Sequence, residues 1–205
     1  MVTADSVKVK LQGLIAKANE ATGNTDADLT AAINALIAGF GQGGETSDNE
    51  LQWIAAITGG EVTKIPDSVT WIRGYAFYNC ENLALTKLPD GITGIGLCAF
   101  QGCTKLALES LPNELKYIYN QAFQGCKSLN IKTIPDTVTS INYNAFQGCS
   151  NLTEITFMGK PSTIAAVFNN CTNLTTINVP WAEGEVSGAP WGATNATINY
   201  NHTGG

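Results

Sequence analysis

The stretch AFQGCTKL at Ala99–Leu106 returns as AFQGCKSL at Ala122–Leu129 and as AFQGCSNL at Ala145–Leu152. The same pattern also begins at Ala76, and a degenerate copy, VFNNCTNL, ends at Leu174. The four complete copies follow one another every 23 residues, and the fifth comes one residue early. This regularity indicates a repeat protein, and the period lies within the roughly 20–29 residues of leucine-rich repeats.

Each column of the repeat has a physical interpretation. The leucine after each cysteine opens a short apolar stretch, such as LALTKLP or LNIKTIP, which predicts one strand of a parallel ladder. The proline that follows has no N–H to donate, so it closes the strand. Apolar residues three apart, such as Val69 and Ile72, are expected to point inward on the return side of each coil. Together these columns predict a solenoid around one continuous core.

Two further columns are expected to form ladders inside this core. One is aromatic and consists of Phe77, Phe100, Phe123, Phe146 and Phe168. The other holds a small, soft hydrophobic residue and consists of Cys80, Cys103, Cys126, Cys149 and Cys171. Only Gly or Asn precedes each of these cysteines, and both residue types adopt positive φ at low cost. This predicts a left-handed residue that ends one turn of helix.

The ladder cysteines are interpreted as buried free thiols. Disulfides between stacked repeats are an alternative, although five equivalent cysteines cannot all pair. A metal site is not expected, because the sequence has no Cys-x-x-Cys pair and its only histidine is His202. Cys98 stands outside the ladder, in the column of Tyr75, Gln121 and Asn144, where exposure is expected.

The chain is expected to divide into four segments. Residues 1–43 predict a helical hairpin with a Gly-rich joint, which serves either for oligomerisation or as a packed appendage. Residues 44–62 predict the N-terminal cap of the solenoid, and residues 63–180 hold about five leucine-rich repeats. Residues 181–205 are interpreted as a C-terminal cap in which Trp181 and Trp191 cover the last repeat, with an aromatic ligand platform as the alternative. Within it, NATINYN at 195–201 is a candidate edge strand.

Composition and motifs argue against several classes of function. The chain has 205 residues, a net charge of −6 and no Lys/Arg cluster, so nucleic acid and anionic membranes are not expected partners. No apolar run approaches the ~18 residues of a membrane helix, and no signal peptide is recognised. With one near-terminal histidine, no phosphate loop and scattered acids, the sequence predicts neither an enzyme nor a cofactor.

The candidate binding residues are aromatic and occupy outward positions on the return side. They are Trp71, Tyr75, Tyr117, Tyr119 and Tyr143. Tyr and Trp provide large contact areas for little lost rotamer entropy, and they also suit sugar rings. The alternative is that these rings only stabilise the sheet by packing on one another.

The repeat, for example IPDTVTSINYNAFQGCSNL at 134–152, resembles the BspA-like, or treponemal-type, leucine-rich repeats over about Val62 to Pro180. Such repeats occur in bacterial surface antigens, protist surface proteins and bacteriophage-encoded proteins. The resemblance implies attachment and the binding of a protein or glycan, without catalytic residues. The flanking stretches at 29–44 and 177–201 are similar to segments of tail-associated proteins of phages and prophages.

The hypothesis that follows is an α/β repeat solenoid: a right-handed leucine-rich repeat coil with short parallel strands, an N-terminal helical segment and a capped C-terminus. It is expected to act as a non-enzymatic recognition or adhesion module for a protein or glycan on a bacterial or host surface. The resemblance places it on a virion, as a phage or prophage tail-associated protein. A bacterial cell-surface adhesin and a structural spacer without a ligand are the alternatives, and the N-terminal helices could form a homo-oligomer.

Overall fold

The computed structural model describes residues 64–203 with the exception of Pro66 and Ser68. The regular elements of these residues are all short strands: β1 (Trp71–Ile72), β2 (Gly94–Ile95), β3 (Tyr117–Ile118), β4 (Thr133–Ile134), β5 (Ser140–Ile141), β6 (Glu154–Phe157), β7 (Thr163–Ile164), β8 (Thr176–Asn178) and β9 (Thr197–Asn199). The described part has no helix that could cross a membrane. The predicted helical hairpin at 1–43, its homo-oligomer and the cap at 44–62 lie outside the described residues.

The strands form two sheets, and every pair in them is parallel. The first sheet has the order β1-β2-β3-β5-β7, and the second has the order β4-β6-β8-β9. In the first sheet, Trp71 is opposite Gly94, and Gly94 is opposite Tyr117, so each pairing advances by one repeat. The chain therefore visits the two sheets in turn and stacks its coils in register, which confirms the predicted solenoid with short parallel strands.

The apolar stretches predicted to form a ladder do so only in the C-terminal half. LNIKTIP contains β4, and β6 and β8 follow in the next two coils, whereas LALTKLP at 83–89 forms no strand. Pro89 and Pro112 end the early stretches and have no N–H for a neighbouring coil. In the coil after β4 the equivalent position is Met158, whose N–H donates to the Ile134 carbonyl at 2.9 Å. The ladder can therefore continue where the proline is replaced.

The helical turn predicted before each cysteine is wrong, and successive β-turns take its place. The Tyr78 N–H donates to the Tyr75 carbonyl at 3.2 Å, three residues back, while the Phe77 N–H leaves the coil for the Ala99 carbonyl at 2.8 Å. An α-helix needs consecutive N–H groups to bond four residues back within the same segment. Because alternate N–H groups bind the next coil instead, the described residues are all-β rather than α/β.

Two residues in each of the first four coils, and one in the fifth, adopt the left-handed backbone conformation. The predicted column has φ between 56° and 76° and consists of Asn79, Gly102, Gly125, Gly148 and Asn170. A second column, four residues earlier, has φ between 53° and 61° and consists of Tyr75, Cys98, Gln121 and Asn144. The two bends bracket the Ala-Phe pair. They turn the phenylalanine into the core and the alternate N–H groups toward the next coil.

The core is built around a stack of phenylalanines. The rings of Phe77, Phe100, Phe123, Phe146 and Phe168 follow one another at centroid distances of 5.2 to 5.7 Å, with interplanar angles of 3° to 17°. All five side chains are fully buried. The inward columns that begin with Val69 and Ile72 lie in the same hydrophobic cluster. One core therefore runs the length of the described coils.

The C-terminal segment closes one end of this core. Trp181 and Trp191 pack on Phe157 at centroid distances of 5.4 and 5.9 Å, and their exposed fractions are 4% and 1%. Burial leaves neither indole a face for a ligand, so the aromatic-platform alternative is wrong here. The predicted edge strand is confirmed as β9, which pairs with β8.

Removing one ring from the middle of the stack should destabilise the whole solenoid. We expect Phe123→Ala to lower the free energy of unfolding by about 3–5 kcal/mol, because it opens a cavity between two buried rings. Urea unfolding followed by circular dichroism measures the change, with Lys127→Ala on the exposed surface as the control. A loss below about 1 kcal/mol would show that the stack contributes little to stability.

The left-handed column offers a second test at Gly125. A Cβ there would meet nothing closer than 3.9 Å, so Gly125→Ala tests the backbone conformation alone. We expect a loss of about 1–2 kcal/mol for alanine. The loss for Gly125→Asn should be less than half as large, because asparagine already occupies this column at Asn79 and Asn170. Equal losses in urea unfolding for the two variants would contradict this account.

Candidate recognition surface

The outer face of the first sheet is organised in register rows. One row contains Trp71, Gly94, Tyr117, Ser140 and Thr163, taken from β1, β2, β3, β5 and β7 in turn. The isoleucine after each of the first four is fully buried, so this row points away from the core. A second outward row lies two residues further along each coil and contains Arg73, Gly96, Tyr119, Asn142 and Ala165.

Trp71 lies across the neighbouring strand because that strand has a glycine. A Cβ built on Gly94 would stand only 2.5 Å from Cη2 and 2.6 Å from Cε3 of Trp71. The six-membered ring of the indole therefore rests on the Gly94 backbone. Tyr117 is two strands away from Trp71, which would separate aligned side chains by roughly 9.6 Å, yet the ring centroids are 6.1 Å apart.

Three of the five predicted binding residues meet on this face. The centroids of Trp71 and Tyr119 are 6.0 Å apart, and those of Tyr117 and Tyr119 are 6.4 Å apart. Trp71, Tyr117 and Tyr119 are called the aromatic triad below. Both tyrosines keep 39% of their surface exposed, so the cluster is open to solvent.

The other two predicted residues lie apart from the triad. Tyr75 packs edge to face on Tyr78 at 5.6 Å, a partner that the sequence did not single out. Tyr143 is 55% exposed, and its ring stacks on no other aromatic ring in the described residues. Cys98 was expected to be exposed, but it is 4% exposed. It lies beside Tyr75 and raises the pKa of that phenol, and its thiol donates to Gln121 Oε1 at 3.8 Å.

A polar pair stands beside the triad on the next strand. Ser140 and Asn142 occupy the register positions that follow Tyr117 and Tyr119, and both are half-buried. Ser140 Oγ donates to Asn142 Oδ1 at 2.9 Å, which fixes the orientation of the amide. The outer face is therefore aromatic over β1 to β3 and polar beyond. Neither Gly94 nor this pair was singled out from the sequence, because their meaning depends on the strand register.

Four of the five ladder cysteines are buried, and Cys80 in the first coil is half-buried. All six cysteines are free, so the disulfide alternative is wrong. Each deeply placed thiol donates to a phenylalanine carbonyl of the preceding coil, as Cys126 does to Phe100 at 3.0 Å and Cys149 to Phe123 at 3.1 Å. Burial raises the pKa of Cys126 and Cys149 well above the usual value, and that of Cys171 to about 11. Within residues 64–203 no group of acidic, histidine or cysteine side chains could hold a metal ion.

Comparison with known proteins places these coils in a family. Residues 70–186, more than half of the chain, match the BspA type leucine-rich repeat region in six copies. The chain belongs to this family. BspA-type repeats are typically surface-associated, and their fold is commonly used for protein binding or adhesion. The sequence pattern alone gives about five repeats, one fewer than the family comparison.

Two solved structures of leucine-rich repeat proteins are similar to the BspA-type chain. A protein from Bacteroides ovatus is 37% identical, with a TM-score of 0.49, over 58% of this chain and 31% of that one. The leucine-rich repeat protein of T. pallidum is 27% identical, with a TM-score of 0.49, over 70% of this chain and 67% of that one. The alignment thus spans about a third of the Bacteroides ovatus protein. No curated protein matches the sequence.

The buried thiols of the BspA-type ladder predict a loss of stability at alkaline pH. An unfolded cysteine ionises near pH 8.5, whereas burial raises the pKa of folded Cys126 well above that value. The contribution of the protonated thiol to the stability of the fold is therefore complete below about pH 8.5, and it is lost as the pH rises toward the folded pKa. The free energy of unfolding of the wild type should therefore fall as the pH rises. Between pH 9 and 10.5 we expect this fall to be less steep for Cys126→Ala, by up to ~1.4 kcal/mol per pH unit.

Urea unfolding of the wild type and Cys126→Ala at pH 7, 9 and 10 checks this expectation. Below pH 8 the two proteins should differ by a constant amount, since both states then keep the thiol protonated. Parallel curves at alkaline pH would show that burial of Cys126 does not hold its proton.

Proposed function

We propose that the chain is a non-enzymatic recognition module that binds a protein or glycan on a bacterial or host surface through the aromatic triad. The observation that carries the proposal is that Trp71 crosses Gly94 to meet Tyr117 and Tyr119 on an exposed face. Tyr and Trp are the residue types that contribute most often to binding energy at recognition surfaces.

The arrangement favours binding over sheet packing. Aromatic pairs stabilise a sheet when they are direct cross-strand neighbours, but a glycine strand separates Trp71 from Tyr117. The buried phenylalanine stack already provides an aromatic ladder through the same coils. The triad therefore adds exposed aromatic surface where the core does not require it.

The triad stands on the packed core of the solenoid. Ile72, Ile95 and Ile118 stand behind its strands and are fully buried. Tyr and Trp side chains have only two χ angles, and here they are further held by contact with one another. A surface prepared in this way loses little conformational entropy on binding, which favours affinity.

The proposed location is a phage or prophage tail that contacts a bacterial surface. The similarity of the stretches at 29–44 and 177–201 to segments of tail-associated proteins supports this location. A bacterial cell-surface adhesin is the second candidate, and it is favoured by the surface association typical of the repeat family. Neighbouring genes separate the two, since tail genes would favour the first and secretion genes the second.

Alanine at the triad should remove binding without unfolding the protein. We expect Trp71→Ala and the double variant Tyr117→Ala/Tyr119→Ala each to weaken binding to fixed bacterial or host cells at least tenfold. Their melting temperatures should stay within a few degrees of the wild type, because the rings are outside the core. Sedimentation with a panel of cell types and thermal unfolding provide the two measurements.

Tyr143→Ala is the matched control, because Tyr143 is an exposed tyrosine whose ring makes no contact with the rings of the triad. It should leave cell binding unchanged. If the triad variants lose stability in proportion to binding, the packing interpretation replaces the proposal. If the wild type binds no cell in the panel, a structural spacer becomes the better account.

A further inference from the structure

We propose that the aromatic triad binds a glycan, by stacking a pyranose ring on Trp71, rather than a protein surface. This inference rests on the proposed function and names the chemical class of its ligand. It is carried by the size of the face, by the shape of the triad and by the polar pair beside it.

The size of the face favours a small ligand. Five strands at ~4.8 Å spacing give a sheet roughly 19 Å long, and two residues per strand make it roughly 7 Å wide. A specific protein interface buries about 800 Å² of accessible surface on each partner, and it therefore extends well beyond a patch of these dimensions. A sugar ring needs only the area of one or two aromatic side chains, which the triad provides.

The shape of the triad suits a ring with one apolar face. Because the indole of Trp71 rests on Gly94, one of its faces contacts the sheet and the opposite face points outward. The rings of Tyr117 and Tyr119 are tilted against the indole by 39° and 56°. Trp71 therefore forms a floor and the tyrosines form a wall, and the C–H face of a pyranose can rest on that floor.

The groups around this floor match the polar edge of a sugar. The tyrosine hydroxyls can both donate and accept hydrogen bonds, as sugar hydroxyls do. Asn142 accepts from Ser140 through Oδ1, and its amide nitrogen makes no hydrogen bond within the described residues. That nitrogen can donate to a ligand hydroxyl. The two outward rows hold a single charged side chain, Arg73, so stacking and hydrogen bonds rather than charge pairing carry the recognition.

Gly94 is the positioning residue of this site, and it offers a test that removes no aromatic side chain. A methyl group at this position would collide with the indole, so Gly94→Ala lifts Trp71 from the sheet. We expect Gly94→Ala to weaken binding at least tenfold. Gly91→Ala is the matched control, since a Cβ there meets nothing within 4 Å, and it should bind like the wild type. Unchanged binding by Gly94→Ala would overturn the proposed floor.

Enzymatic and chemical treatment of the target cells tests the ligand class. Cells that bind the full-length wild-type protein are treated with mild periodate, which cleaves vicinal diols and opens pyranose rings, or with a broad-specificity protease. Loss of binding after periodate, together with competition by one of the methyl pyranosides of glucose, galactose, mannose or N-acetylglucosamine, is the expected result. Binding should also be insensitive to salt between 50 and 500 mM.

Binding that survives periodate and is lost after protease treatment would overturn the glycan inference, while recognition through the triad would stand. Absence of binding to every untreated cell type would instead overturn the proposed function itself. The two failures are therefore distinguishable in one experiment.

Discussion

Stacking of each phenylalanine on the one before it is the constraint on which the rest of the solenoid depends. Rings 5.2 to 5.7 Å apart require successive coils to match in both position and orientation. The pair of left-handed residues in each of the first four coils meets that requirement, because it turns alternate N–H groups toward the next coil. The buried thiols then donate to the phenylalanine carbonyls that the bends leave inside.

A core fixed in this way leaves the outer positions of the coil free to vary. On the first sheet, the register row changes from Trp71 through Gly94 and Tyr117 to Ser140, while the isoleucines behind it do not change. Recognition therefore depends on departures from the repeat, whereas stability depends on its regularity. This division allows one fold to present different surfaces without loss of its core.

Spacing alone predicts the parts of the fold that repeat. The phenylalanine column, the inward aliphatic columns and the Gly or Asn before each cysteine could all be interpreted from a period of 23 residues. The second left-handed column could not, because Tyr75, Cys98 and Gln121 are not residue types that favour positive φ. Cys98 was misjudged for the same reason. The contact of Trp71 with Tyr117 required the strand register, since it crosses an intervening glycine.

Gly94 shows how the requirements of sheet stability and of recognition meet at one residue. Glycine weakens a strand, because it loses more backbone entropy on folding and has no side chain to pack. At Gly94 the indole of Trp71 occupies the space of the missing side chain, so the strand regains apolar cover from its neighbour. The same contact holds the indole flat with one face outward. The residue that is least favourable for the sheet is therefore the one that allows the aromatic triad to form.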